Sequence, residues 1–128
     1  MKIFTLSEAN EALSTIVPMV QEIRRRYLEI QELKPAAKAA SDASNRGGGM
    51  AGGSRYVSAL YETGRLMARL EDLGVEVRDP ERGLIDLPSM KDGRVVYLCW
   101  QIGEGDKIDW WHETYAGFDG RQPIDRRL

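Results

Sequence analysis

LIDLPSMKDGRVVYLCW, residues 84–100, holds two apolar runs of strand length, 84–87 and 95–100, on either side of Asp92-Gly93. Asp-Gly between two such runs is a hairpin signal, because the tight two-residue turn needs positive φ at both central residues. Two further short apolar runs flank this pair, 75–77 before it and 108–111 after it. The segments between them are turn material, Asp79-Pro80-Glu81-Arg82-Gly83 and Gly103-Glu104-Gly105-Asp106. Short runs joined by turns predict a small antiparallel sheet, and the tail from Gly117 reads mostly as loop.

Upstream of Val75 the apolar period is helical. Thr5-Leu6-Ser7-Glu8 has capping-box form, with the Thr5 hydroxyl placed to accept the Glu8 N–H and the Glu8 carboxylate reaching back. Leu13, Ile16, Val20, Ile23, Tyr27 and Ile30 then follow at steps of three and four, one stripe of a long helix. Glu22 with Arg26, and Arg25 with Glu29, lie one turn apart on a solvated face. Pro18 lacks the N–H that would bond to Ser14, which predicts a kink within one continuing helix. A second helix spans 55–73, with Val57, Leu60, Met67, Leu70 and Leu73 on its apolar side and Gly74 as its left-handed stop. SDASNRGGGMAGGS, residues 41–54, has five glycines and reads as a flexible connector. It follows a helix and contains no lysine, so it lacks the context of a phosphate-binding loop. The fold class is α+β: a helical hairpin over 5–74 with its connector at 41–54, then a small antiparallel β-meander and C-terminal loop over 75–128, in a single domain of 128 residues. The first stripe carries more apolar surface than the shorter second helix can cover, which points to a homodimer through the hairpin.

Composition bounds the rest. Apolar residues at 42% and charged residues at 30% describe an ordinary globular chain. A formal net charge of -2 supplies no overall basic field for a nucleic acid backbone. Arg24-Arg25-Arg26 fans around the helix among Glu22, Glu29 and Glu32 and reads as a solvated face rather than a phosphate-binding stripe. MKIFTLSEAN turns polar by Ser7, unlike a signal peptide, and no apolar run approaches the roughly 20 residues of a membrane span. One cysteine demands no oxidising compartment, and the expectation is a cytoplasmic protein without nucleic-acid or membrane partners.

The opening FTLSEANEAL, then GLIDLP, GRVVYLCWQIGE, WWHE and GFDGRQPI are similar to domain-of-unknown-function family 2203, found in bacteria and other prokaryotes. The resemblance runs nearly end to end and is weakest in the glycine-rich connector. It implies a fold and a marked C-terminal segment, and it assigns no activity.

That marked segment, LCWQIGEGDKIDWWHETYAGFDGR at 98–121, gathers all three tryptophans, the only cysteine and the only histidine. Aromatic walls beside ionisable groups are the ordinary composition of a pocket. His112 is the first candidate for a divalent metal ligand, with Glu104 as its partner and Asp86 and Glu113 as further donors; one histidine with acids suits Mn, Fe or Zn. If the strand stays extended through Glu113, His112 and Glu113 face opposite sides and only one of them ligates. Trp110, Trp111 and Arg121 form a candidate ligand platform of stacking rings and a guanidinium. The competing reading has Arg121 gripping Glu104 to lock the final loop onto the sheet. Cys99, inside an apolar run, reads as a small buried hydrophobe rather than a nucleophile with His112 as base. Two functions follow: a ligand- or divalent-metal-binding pocket on the sheet, or a dimeric helical-hairpin interaction module whose aromatic and polar cluster is structural.

Overall fold

The computed structural model describes residues 2–43 and 53–125. Helix α1 runs Leu6–Ala43 and α2 runs Gly53–Asp72. Strands β1 (Glu76–Asp79), β2 (Leu84–Lys91), β3 (Arg94–Gln101), β4 (Trp110–Glu113) and β5 (Gln122–Pro123) form one sheet in chain order, every neighbour antiparallel. The α+β hairpin-and-meander architecture is therefore as the periodicity predicts, with one addition. The tail is not all loop, because Gln122 and Pro123 pair with Trp111 and Trp110 and close the sheet on its far edge.

Local signals act where expected. The Thr5 N–H donates to Glu8 Oε1 at 2.9 Å and the Glu8 N–H donates to Thr5 Oγ1 at 3.0 Å, a complete capping box. Asp92 and Gly93 both take positive φ, 51° and 80°, so Lys91 pairs with Arg94 and the rest of the β2–β3 register follows. Gly74 turns left-handed at φ 88°. The α1 helix is continuous across Pro18 and also across Pro35.

Four details depart from the sequence reading. Residues 41–43 and 53–54, placed in the connector, are helical, as the alanine-rich run after Pro35 favours; the remainder of the connector lies outside the described residues. Arg25 pairs back to Glu22 at 2.6 Å rather than forward to Glu29, which takes Arg26 at 3.7 Å. The buried side of α2 is Ala59, Leu66 and Leu70, while Val57 and Leu60 lie exposed and Leu73 sits at the rim. The buried residues of α1 end at Ile23, so the first half of its stripe covers the sheet and α2, and Tyr27 and Ile30 are only partly covered.

One core joins both halves: Leu13, Ile16, Val20 and Ile23 of α1 and Leu66 and Leu70 of α2 meet Ile85, Leu87, Val96, Leu98, Trp100 and Trp111 of the sheet. Strand alternation makes those sheet residues one face, here called inner. The loop before β4 is tied down by Ile108, whose N–H donates to Asn10 Oδ1 at 2.7 Å. The opposite, outer face carries Asp86, Tyr97, Cys99, Trp110 and His112, and the segment 114–121 folds over it.

Candidate functional site

Register builds the outer face. Counting back from the tight turn sets Asp86 opposite Cys99, and the β3–β4 pairing sets Tyr97 opposite His112 and Cys99 opposite Trp110. Residues opposite one another share a face, so Asp86, Cys99, His112 and Trp110 crowd together. Asp86 and His112 are almost wholly enclosed, each with only 4% of its side chain exposed.

The Asp86–His112 contact has a defined proton pattern. His112 Nδ1 lies 2.8 Å from the Glu113 carbonyl oxygen, which can only accept, so Nδ1 carries a hydrogen. That leaves Nε2 facing Asp86 Oδ2 at 3.0 Å. Two bare acceptors do not bind each other, so this contact needs a proton between them or a cation in its place. A backbone carbonyl fixing one ring nitrogen so that the other can ligate is the usual support for a metal-binding histidine.

Arg78 Nε donates to the same Oδ2 at 2.9 Å, and its Nη2 donates to Glu76. Asp86 Oδ1 is left buried without a hydrogen-bond partner among the described residues. A buried carboxylate oxygen in that condition carries a desolvation penalty that a ligand or ion would relieve. Cys99 completes the group, since ligand atoms of Asp86, Cys99 and His112 all lie within 4.8 Å of one another. Burial, and next the negative charge of Asp86, push the Cys99 thiol up to about 12 from its ordinary 9.0. In the metal-free protein it is a neutral thiol and no nucleophile at neutral pH. A cavity of about 230 Å³ opens onto this group, bounded by Arg78, Leu84, Thr114, Gly117 and Phe118. Gly117 enters the cover with φ 66°, a backbone turn that favours glycine.

Glu104 and Arg121 form a separate pair. Glu104 Oε1 accepts from Arg121 Nη2 at 2.7 Å and from the Gln101 N–H at 2.9 Å. The Arg121 guanidinium lies 4.9 Å from the Trp110 ring centre and 4.7 Å from that of Phe118, with 8% of its side chain exposed. Phe118 is covered on its other contact by Arg82 at 4.0 Å. This is the lock anticipated from sequence: it clamps the short 3-10 turn Phe118–Gly120 over the outer face. Arg121 Nε stays buried and unpartnered among the described residues, a second open polar atom beside the pocket.

The expected site residues thus divide. His112, Trp110, Glu104 and Arg121 share the outer face, but His112 pairs with Asp86 while Glu104 is held by Arg121 and a backbone N–H. Glu113 pairs with Arg94 at 2.6 Å, and that contact holds its carboxyl below the ordinary range. Trp111 belongs to the inner core and bounds no part of the outer pocket. Cys99 is the donor that sequence reasoning set aside. Its place inside an apolar run hid it, although the two-residue turn at Asp92-Gly93 fixes Asp86 opposite it.

The fold and this face define an α+β protein with a helical hairpin on one side of a meander and a buried polar group under a loop on the other. The chain belongs to the family described as Uncharacterized conserved protein (DUF2203), whose model matches residues 2–124. Neither a curated protein nor a solved structure matches it. Among the described residues no helix is long and apolar enough to cross a membrane.

Proposed function

We propose that this protein binds a divalent metal ion on the outer face of its sheet, through Asp86, Cys99 and His112, and that the adjoining pocket admits a further ligand to it. The observation that carries this is the buried, unpartnered Asp86 Oδ1 beside a thiol and an imidazole nitrogen. A set of one sulfur, one nitrogen and one oxygen donor suits zinc better than the harder ions. Three protein donors with open space beside them match sites that keep a position for an outside molecule, whereas purely structural zinc sites are closed by four. Arg121 and Glu104 act here by holding the covering turn in place.

Zinc added to chelator-treated protein should bind at one equivalent per chain, measured by calorimetry and elemental analysis. Asp86→Asn and His112→Ala, confirmed folded by circular dichroism, should each abolish or greatly weaken it. Equal zinc uptake by wild type and both variants, or none by wild type, rejects the reading.

A specific observation also favours self-association. Val57, Leu60 and Tyr61, at helical spacing on α2, are 63%, 46% and 68% exposed. An apolar strip on a helical hairpin fits a second copy of the chain better than it fits water. Light scattering at micromolar concentration should give twice the chain mass, and Leu60→Glu with Tyr61→Glu should return it to one. A wild-type monomer contradicts this.

A further inference from the structure

A second cavity, of about 430 Å³, lies on the inner side of the sheet, bounded by the N-terminal segment, β2, β3 and β4. It exists because α1 begins only at Leu6, while the chain before it is pinned along β2. The Phe4 N–H donates to the Pro88 carbonyl at 2.7 Å, and Ser89 Oγ donates to the Phe4 carbonyl at 2.6 Å. Phe4, Val96, Leu98, Trp111 and Ile124 form apolar walls. The volume falls within the range of about 300–1,000 Å³ typical of small-molecule sites.

Its polar groups narrow the ligand. The Ser89 hydroxyl donates to the Phe4 carbonyl and the Thr5 hydroxyl accepts from the Glu8 N–H, so both are partly engaged and the walls are mainly apolar. Lys91 stands at the rim with its ammonium 5.1 Å from the Trp111 ring centre. Its charge acts on Glu113, whose carboxylate is already gripped by Arg94. Asp125 also borders the cavity and has an interaction partner of its own. Apolar walls ending at a lysine ammonium complement a chain-like apolar anion.

We propose that this cavity takes the acyl chain of a medium-length carboxylate, with its head group at Lys91. The site lies across the sheet from the Asp86–Cys99–His112 group and is independent of metal binding there. Calorimetric titration with decanoate, below its micelle concentration, tests it. One decanoate per chain should bind saturably, and decylamine should bind at least about tenfold more weakly, a difference of about 1.4 kcal/mol. Lys91→Glu, confirmed folded by circular dichroism, should weaken decanoate by at least about tenfold. Val96→Phe should fill the cavity and abolish binding, and His112→Ala should bind as wild type does. Absence of saturable binding, equal binding of decylamine, or unchanged binding in Lys91→Glu overturns the proposal, whether or not Val96→Phe folds. Loss of decanoate binding in His112→Ala that circular dichroism shows folded also overturns it, by placing the ligand elsewhere.

Discussion

Trp111 and His112 are neighbours in one strand, yet they belong to two different environments. Trp111 packs mainly among apolar side chains of the inner face, with Lys91 at its rim, and most of its contacts are replaceable by an apolar group of similar volume. His112 faces outward into a buried cluster of ionisable groups, where each proton and each lone pair has to be accounted for. The inner face explains why the sheet exists. The outer face holds polarity that stability alone does not require, since buried ion pairs contribute little net stability compared with well-packed apolar residues.

The largest effect expected on this comparison is on the inner side. Ile85, fully buried, should cost about 2–5 kcal/mol when changed to Ala, through lost burial and the cavity left behind. Denaturant unfolding would show it, and zinc should stabilise Ile85→Ala by the same increment as wild type. An increment that vanishes would mean the two faces are not separable.

Arg121→Ala should come next, at about 2–3 kcal/mol, because Glu104 loses its charged partner in a partly enclosed place. The covering turn should loosen at the same time, seen as faster hydrogen exchange at the Phe118 and Asp119 amides. A cost within experimental error would show that the pair does not lock the loop.

His112→Ala in the absence of metal should cost on the order of 1–3 kcal/mol by stripping a partner from buried Asp86. With zinc at a hundred times its dissociation constant, wild type should gain about 2.7 kcal/mol and the variant nothing. Equal zinc stabilisation of both would remove His112 from the donor set.

A further effect is set by pH and grows as pH rises. The folded, metal-free protein holds Cys99 as a neutral thiol up to about 12, whereas an unfolded chain ionises it from its ordinary 9.0. That difference stabilises the fold fully below pH 9 and is lost as pH rises toward 12. Wild type should therefore lose more stability than Cys99→Ser across this window, by unfolding at stepped alkaline pH. Parallel curves would mean that the thiol is not held neutral by burial.

What could be read from sequence was whatever is decided within a few residues. The Thr5–Glu8 box, the Asp92-Gly93 turn and the Gly74 stop are local hydrogen-bond and φ requirements, and all three form. The Glu104–Arg121 pair was also within reach, because two glycines flank a chain reversal and the chemistry of the pair is specific. The orientation of α2 was not, since Val57 and Leu60 are as apolar as the residues that the core accepts and only packing chooses between them. The Asp86–His112 contact was beyond local reasoning too. It joins residues 26 apart through an eight-residue loop between β3 and β4, and that loop's register depends on Asn10 of α1 holding Ile108.

The most direct measurement is the absorption spectrum of the protein with one equivalent of cobalt(II). Wild type should show a thiolate-to-cobalt charge-transfer band, absent in Cys99→Ser, which has no other cysteine, and weakened in Asp86→Asn and His112→Ala. A spectrum identical to that of the hydrated ion, or a band that persists in Cys99→Ser, would contradict a metal site on this face.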